Sequence, residues 1–245
     1  MPVSLSFENE RVLFMYVSMK KVLFLLLSFV GILDVHAQKT FPLSVADNKI
    51  ICTESESYGN KNDRSLFVNA LLWAIDRDPK LKEDIPQCDM SKLKFTTKIN
   101  LVSAENAKQG YECFLSVQVA SQQLVFLVHD ISCITTGILG NAIPFEKLVP
   151  EKKEKHKAYM EEFVKLNTAM LNELIQFVGT NTAPAMEHWD KVCNGNLESG
   201  MNETECKLIM GKPVNIQDNG KRVQWMYDTF TYLIFEDGVL KTILR

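Results

Sequence analysis

Three runs of alternating apolar and polar residues, 93–102 (LKFTTKINLV), 111–119 and 124–131, constrain the fold more than any other feature of the chain. A period of two describes strands with one buried face and one wet face. The last two runs are separated only by Ala120-Ser-Gln-Gln123, so they should fold back as an antiparallel hairpin, without the favoured Asn-Gly turn chemistry. A sheet wet on one side needs helices on the other, and two stretches supply them. Asn62 or Asp63 offers an N-cap for residues 66–75, where Phe67, Ala70, Leu71, Ala74 and Ile75 recur at helical spacing, and Pro79 marks its stop. Pro150 opens a second helix, whose start carries the charged run 151–157, read as a solvated helical end. Tyr159, Phe163, Leu166, Met170, Leu171, Leu174, Ile175 and Val178 then trace one apolar stripe. Residues 49–53 (KIICT) read as a further strand.

After Val178, Gly179-Thr-Asn-Thr-Ala-Pro184 reads as a boundary, and the remaining chain follows its own pattern. Asn202 and Glu205 form a capping-box signature for a short helix that ends at Gly211, with Pro213 beyond. Residues 223–227 and 232–235 alternate, and Asp237-Gly238 turns the chain into 239–243. The expected class is therefore α+β: an antiparallel sheet with helices packed on one face, followed by a small helix plus a three-stranded meander. The expected units are residues 38–179 and 180–245.

The N-terminus carries an address. Met19-Lys20-Lys21 is a basic start, residues 22–33 are an apolar run, and Val35-His36-Ala37 places small residues before a cut at Gln38. Together these predict a secretory signal peptide within residues 1–37, with Met19 as the expected true start. The run is shorter than the ~20 residues of a spanning helix, so no stable membrane span is expected after cleavage. Cleavage removes three basic and three acidic residues, which leaves the formal net charge at −3. A chain without basic excess lacks the electrostatic footprint of a nucleic-acid binder. The expected location is the periplasm or the extracellular space.

All six cysteines (52, 88, 113, 133, 193 and 206) follow the cut, and export permits disulfides. Six thiols allow fifteen connectivities. Cys193 and Cys206 are the pair that would close the shortest loop between two different expected elements. None has metal-site spacing, so no metal and no cofactor is expected.

Residues 66–75, the strands after them and the helix after Pro150 resemble, over about 45–178, a family of exported bacterial domains of unknown function with a TATA-binding-protein-like fold. The tail is similar to the helix-plus-three-strand unit of the SmpA/OmlA (BamE) and β-lactamase-inhibitor-protein-like families. That resemblance rests on Gly200-Met-Asn-Glu-Thr-Glu205, Gly211-Lys-Pro213, Trp225-Met-Tyr227 and Phe235-Glu-Asp-Gly-Val239, over about 200–244. It implies a role in binding proteins, although the lipid-anchoring Cys of the outer-membrane members is missing.

Catalytic signatures are scarce. No G-x-S-x-G, H-E-x-x-H, P-loop or G-x-G-x-x-G occurs. His129, His156 and His188 are the histidines after the cut, and a thiol hydrolase would have to pair one of them with a cysteine. The expectation is a non-catalytic envelope protein that binds or adapts a protein partner. Trp189, Trp225, Tyr227, Tyr232 and Phe235 are the candidate binding residues, with core filling as their alternative role. Two other readings stand beside it: a small-ligand carrier using a cleft near 179–200, and a periplasmic thiol hydrolase.

Overall fold

The computed structural model describes residues 39–77, 87–103, 109–135, 141–148 and 154–245. The expected signal peptide and the expected helix boundaries at Pro79 and Pro150 lie outside these residues. Among the described residues, eleven strands and five α-helices are ordered as β1 (Ser44–Ala46), β2 (Lys49–Ser57), α1 (Asp63–Arg77), β3 (Gln87–Asp89), β4 (Lys94–Val102), β5 (Gln109–Ala120), β6 (Gln123–Thr135), β7 (Asn141–Pro144), α2 (Phe145–Leu148), α3 (Glu154–Thr180), α4 (Trp189–Cys193), α5 (Glu203–Met210), β8 (Asn215–Asp218), β9 (Arg222–Met226), β10 (Tyr232–Glu236) and β11 (Val239–Leu244).

The main sheet is antiparallel, in the order β1-β2-β6-β5-β4-β3. β7 pairs with the far half of β6, on the edge that β2 leaves free. Alternation along β4 and β5 sends Phe95, Ile99, Leu101, Tyr111, Cys113, Leu115, Val117 and Val119 into the core. α1 and α3 cover this face, and their buried residues include Phe67, Leu71, Phe163, Leu171, Leu174 and Val178. The class is the expected one: mixed α+β, with helices on one face of an antiparallel sheet.

Two side chains of α1 also tie it to α3 through one carboxylate. The Trp73 indole N–H donates to Glu173 at 3.0 Å, and Arg77 donates to the same carboxylate at 2.6 Å. The C-terminal end of α3 is closed by one ammonium group. Lys61 Nζ donates to the carbonyls of Val178, Gly179 and Asn181, each at 2.7 Å. A helix end leaves such carbonyls unpaired, with the negative pole of its dipole beside them, so a cation there is doubly favoured.

The tail shares the same core. Residues Thr40–Arg245 form one compact unit, and Met201, Cys206, Leu208, Trp225, Leu233 and Phe235 join one continuous buried cluster. Its small sheet has four strands, ordered β11-β10-β9-β8, one more than the expected meander. The extra strand, Asn215-Ile-Gln-Asp218, is exposed along its whole length and shows no alternation to read. The capping box on α5 is formed as expected. Among the described residues, no helix is long and apolar enough to cross a membrane.

Candidate functional site

The face of the main sheet opposite α1 and α3 carries Thr96 and Lys98 of β4, Phe114, Ser116 and Gln118 of β5, and Val125, Leu127 and His129 of β6. Strand alternation puts one residue in two on this face, yet the consecutive residues His129 and Asp130 both lie on it. A β-bulge is the reason. Glu112 pairs with Ser132 and Phe114 with His129, so Cys113 alone faces both Asp130 and Ile131. Asp130 takes the left-handed conformation (φ 49°), which Asp tolerates better than most residues. Ile131 returns to the core, while the Asp130 carboxylate lies beside the imidazole it follows.

A row of hydrogen bonds then crosses four strands. Lys49 Nζ donates to Asp130 Oδ1 at 2.8 Å, and His129 Nδ1 lies 2.8 Å from Asp130 Oδ2. His129 Nε2 lies 3.1 Å from Ser116 Oγ, which is 2.8 Å from Thr96 Oγ1. The Lys49 hydrogen bond, with that of His129, holds the Asp130 carboxyl below its ordinary range. An ionised Asp130 accepts and cannot donate, so the imidazole proton belongs on Nδ1 and Nε2 is left as the acceptor. The Ser116 hydroxyl therefore donates to His129, and Thr96 donates to Ser116. The Phe114 ring stacks on the imidazole, with centroids 5.8 Å apart and planes 19° apart, and fixes its orientation.

Of the candidate aromatic residues, Trp225, Tyr227 and Phe235 are buried, while Trp189 and Tyr232 are half-buried. Trp225 and Phe235 pack against each other in the core with ring centroids 4.7 Å apart. Tyr227 is buried, and its hydroxyl donates to the Gly211 carbonyl at 3.1 Å. Tyr232 is half-buried and donates to Thr229 O within its own turn. Trp189 is half-buried between Phe67, which meets it edge-on, and the Arg64 guanidinium, 4.7 Å from its ring centroid. They do not form one exposed patch, because the inward side of each alternating run is the side that holds its large rings.

The candidate pair Cys193 and Cys206 is not joined by a disulfide. Burial pushes the thiols of Cys113 and Cys206 up to about 12, and those of Cys52 and Cys193 upward too, while Cys88 is exposed.

The segment proposed to line a ligand cleft is instead tied down. Lys61 and the Asn69 carboxamide both donate to Asn181 O. Farther on, the buried Glu205 carboxylate accepts the backbone N–H of His188 at 2.7 Å and that of Asn202 at 3.0 Å, with His188 Nδ1 at 3.1 Å. Glu205 thus joins the segment before α4 to the start of α5.

No family model matches the chain, and no curated protein does either. Solved structures do. A TBP-like protein from Parabacteroides distasonis superimposes with a TM-score of 0.50 at 8% identity, covering 56% of this chain and 97% of that one. A DUF4468 family protein from Bacteroides ovatus is similar with a TM-score of 0.47 at 10% identity, covering 58% of this chain and 94% of that one. The first match gives the main sheet and its helices a TBP-like fold. A shared fold at this identity says nothing of shared activity.

Proposed function

We propose that the chain is an exported envelope protein that works by binding another protein, with the open face of the main sheet as its contact surface. One observation carries the surface: α1 and α3 cover one face of the sheet, while the other exposes Phe114, Val125 and Val102 among polar residues. Apolar side chains in a polar surround are what a partner surface needs. The basic start, apolar run and small-residue cut support the export half of the reading. The likeness of the tail to SmpA/OmlA-type units, which act by binding, supports the other half.

The two halves are tested separately. N-terminal sequencing of the protein recovered from the envelope fraction should begin at Gln38; recovery of an uncleaved chain from the cytosol would overturn export. For the surface, a photo-cross-linking residue at Gln118 on the open face should give a defined adduct in cells. The same residue at the exposed Lys241, on the tail, should give none. Equal labelling from both positions, or none from Gln118, would remove the open face from the proposal.

A further inference from the structure

The hydrogen-bonded row on the open face has a chemistry that binding does not require. Its three central groups stand in the order and on the atoms that activate a hydroxyl for attack on a carbonyl. A carboxylate holds Nδ1–H, Nε2 accepts from a serine hydroxyl, and the imidazole plane is fixed by a stacked ring. We propose that Ser116 is a nucleophile for carboxylic esters, with His129 as its general base and Asp130 as the group that positions the histidine. This goes beyond the binding reading and replaces the expectation, drawn from missing motifs, that the chain lacks a catalytic group. Motif searches could not find it, because the residues come from two strands and meet only through cross-strand register and the bulge at Asp130.

The surroundings favour an ester with an apolar acyl chain. Ser116 faces Leu127 across the strand pair, with Val125 one pair further and Phe114 on the other side. Phe114 and Val125 are exposed, so an acyl chain can lie along this strip and reach Ser116 from solvent. In the first step Ser116 Oγ bonds to the ester carbonyl carbon while its proton passes to His129 Nε2. The bond to the alcohol oxygen then breaks, and the same proton returns to the leaving alcohol. In the second step His129 takes a proton from water, whose oxygen attacks the acyl-serine. The carboxylic acid departs and the proton returns to Ser116. No oxidant, reductant or metal enters the balance. Thr96, whose hydroxyl points at Ser116 Oγ in the resting state, is the donor placed to turn toward the oxyanion as Ser116 attacks. The charged groups around the histidine are Asp130 and Lys49 on one side and the Lys98–Glu112 pair, joined at 2.7 Å, on the other. Lys49 and Lys98 are each neutralised by a carboxylate, so the face is not strongly charged against a neutral ester.

The test uses the purified chain beginning at Gln38 and two probes, p-nitrophenyl butyrate and a fluorophosphonate. The expected result is a single phosphonylated residue, mapped by peptide mass spectrometry to Ser116. Ester turnover should fall to background in Ser116→Ala. It should fall about 100-fold or more in His129→Gln, the range general-base removal gives. Asp130→Asn should slow labelling at Ser116 while circular dichroism stays unchanged, and Thr96→Val should reduce turnover without moving the label. Labelling elsewhere, no labelling, or equal turnover in Ser116→Ala and the parent chain would overturn the proposal. Both Ser116 and His129 lie outside the core, so these variants should stay folded. Because no partner protein takes part, failure of this experiment leaves the cross-linking result from Gln118 to be judged on its own.

Discussion

The Asp63 carboxylate accepts the backbone N–H of Gln122 at 2.6 Å and that of Ser121 at 3.0 Å, which fastens the start of α1 to the β5–β6 turn. Both turn residues are left-handed, Ser121 at φ 53° and Gln122 at φ 60°, and neither is Gly or Asn. A two-residue turn with both positions at positive φ prefers Asn-Gly. The carboxylate offsets the strain by taking both turn amides at once. Asp63→Ala should therefore cost about 1–2 kcal/mol in urea unfolding. Ser121→Asn with Gln122→Gly in that background should recover about half, since the turn would no longer need outside support. An Asp63→Ala chain as stable as the parent would show that the turn holds itself.

Lys61 sets the length of α3. Its carbonyl partners are Val178 and Gly179 in the last turn of the helix and Asn181 just beyond it, where the chain through Pro184 is irregular. Lys61→Met keeps the alkyl stem and removes the three donors. The expected loss is about 1–2 kcal/mol, with faster amide exchange confined to the last turn of α3 and the segment 181–183. A uniform rise in exchange along α3 would instead mean that Lys61 supports the packing of the whole helix.

Much of this architecture was legible because it depends on local pattern. Alternation placed β4 almost to the residue and the bodies of β5 and β6, missing the last four residues of β6 beyond its bulge, and helical spacing placed α1 and most of α3. The capping box at Asn202 and Glu205 was readable because both partners lie within one turn. What was not legible depends on residues far apart in the chain. The choice between Asn62 and Asp63 as the cap of α1 is one case: Asn62 Oδ1 takes the Ser65 N–H, which frees Asp63 for a turn 58 residues away. The row from Lys49 to Thr96 is another, assembled from β2, β6, β5 and β4 by register alone. The tail aromatics were read as candidates for a surface because composition marks Trp and Tyr as sticky, while alternation alone does not say which face meets the core. β8 escaped notice because an exposed edge strand needs no apolar residues.

Among the described residues, the fully buried Asn167, in the middle of α3, finds no conventional hydrogen-bond partner for either its Nδ2 or its Oδ1. The polar group beside it is the buried Cys52 thiol, a weak partner at best. A buried amide left unpaired costs about 1–3 kcal/mol, and helix propensities of Asn and Val are nearly equal. Asn167→Val should accordingly raise stability by about 1–2 kcal/mol, which for a chain of this size moves the melting midpoint up by several degrees. A loss of stability would reveal that Asn167 is satisfied by an enclosed water, and pressure or hydration measurements on the parent chain would then locate it.

The carboxylates give the protein a defined acid response. Asp89 accepts from the Ser91 hydroxyl at 2.6 Å and from the Lys92 N–H at 3.1 Å, and these bonds with the Lys92 charge hold its carboxyl at about 2, against an ordinary 3.8. Asp130 is shifted the same way by Lys49 and His129. A carboxylate that binds its proton less tightly when folded contributes stability above its unfolded pKa. That contribution fades as pH falls through the folded value. For Asp89 the window runs from about 4 down to about 2, so the turn at Met90–Lys92 should hold at pH 4 and loosen only near pH 2. Carbon-detected NMR titration of the side-chain carboxyls should show Asp89 titrating near 2. Asp130 should titrate below the usual range, and Lys49→Met should move it part of the way back. Asp89 titrating at its ordinary value would mean that the Ser91 and Lys92 bonds do not persist in solution. For Asp130 the same outcome would mean that the Lys49 and His129 bonds do not persist, and with the His129 bond would go the assignment of Nε2 as the acceptor for Ser116.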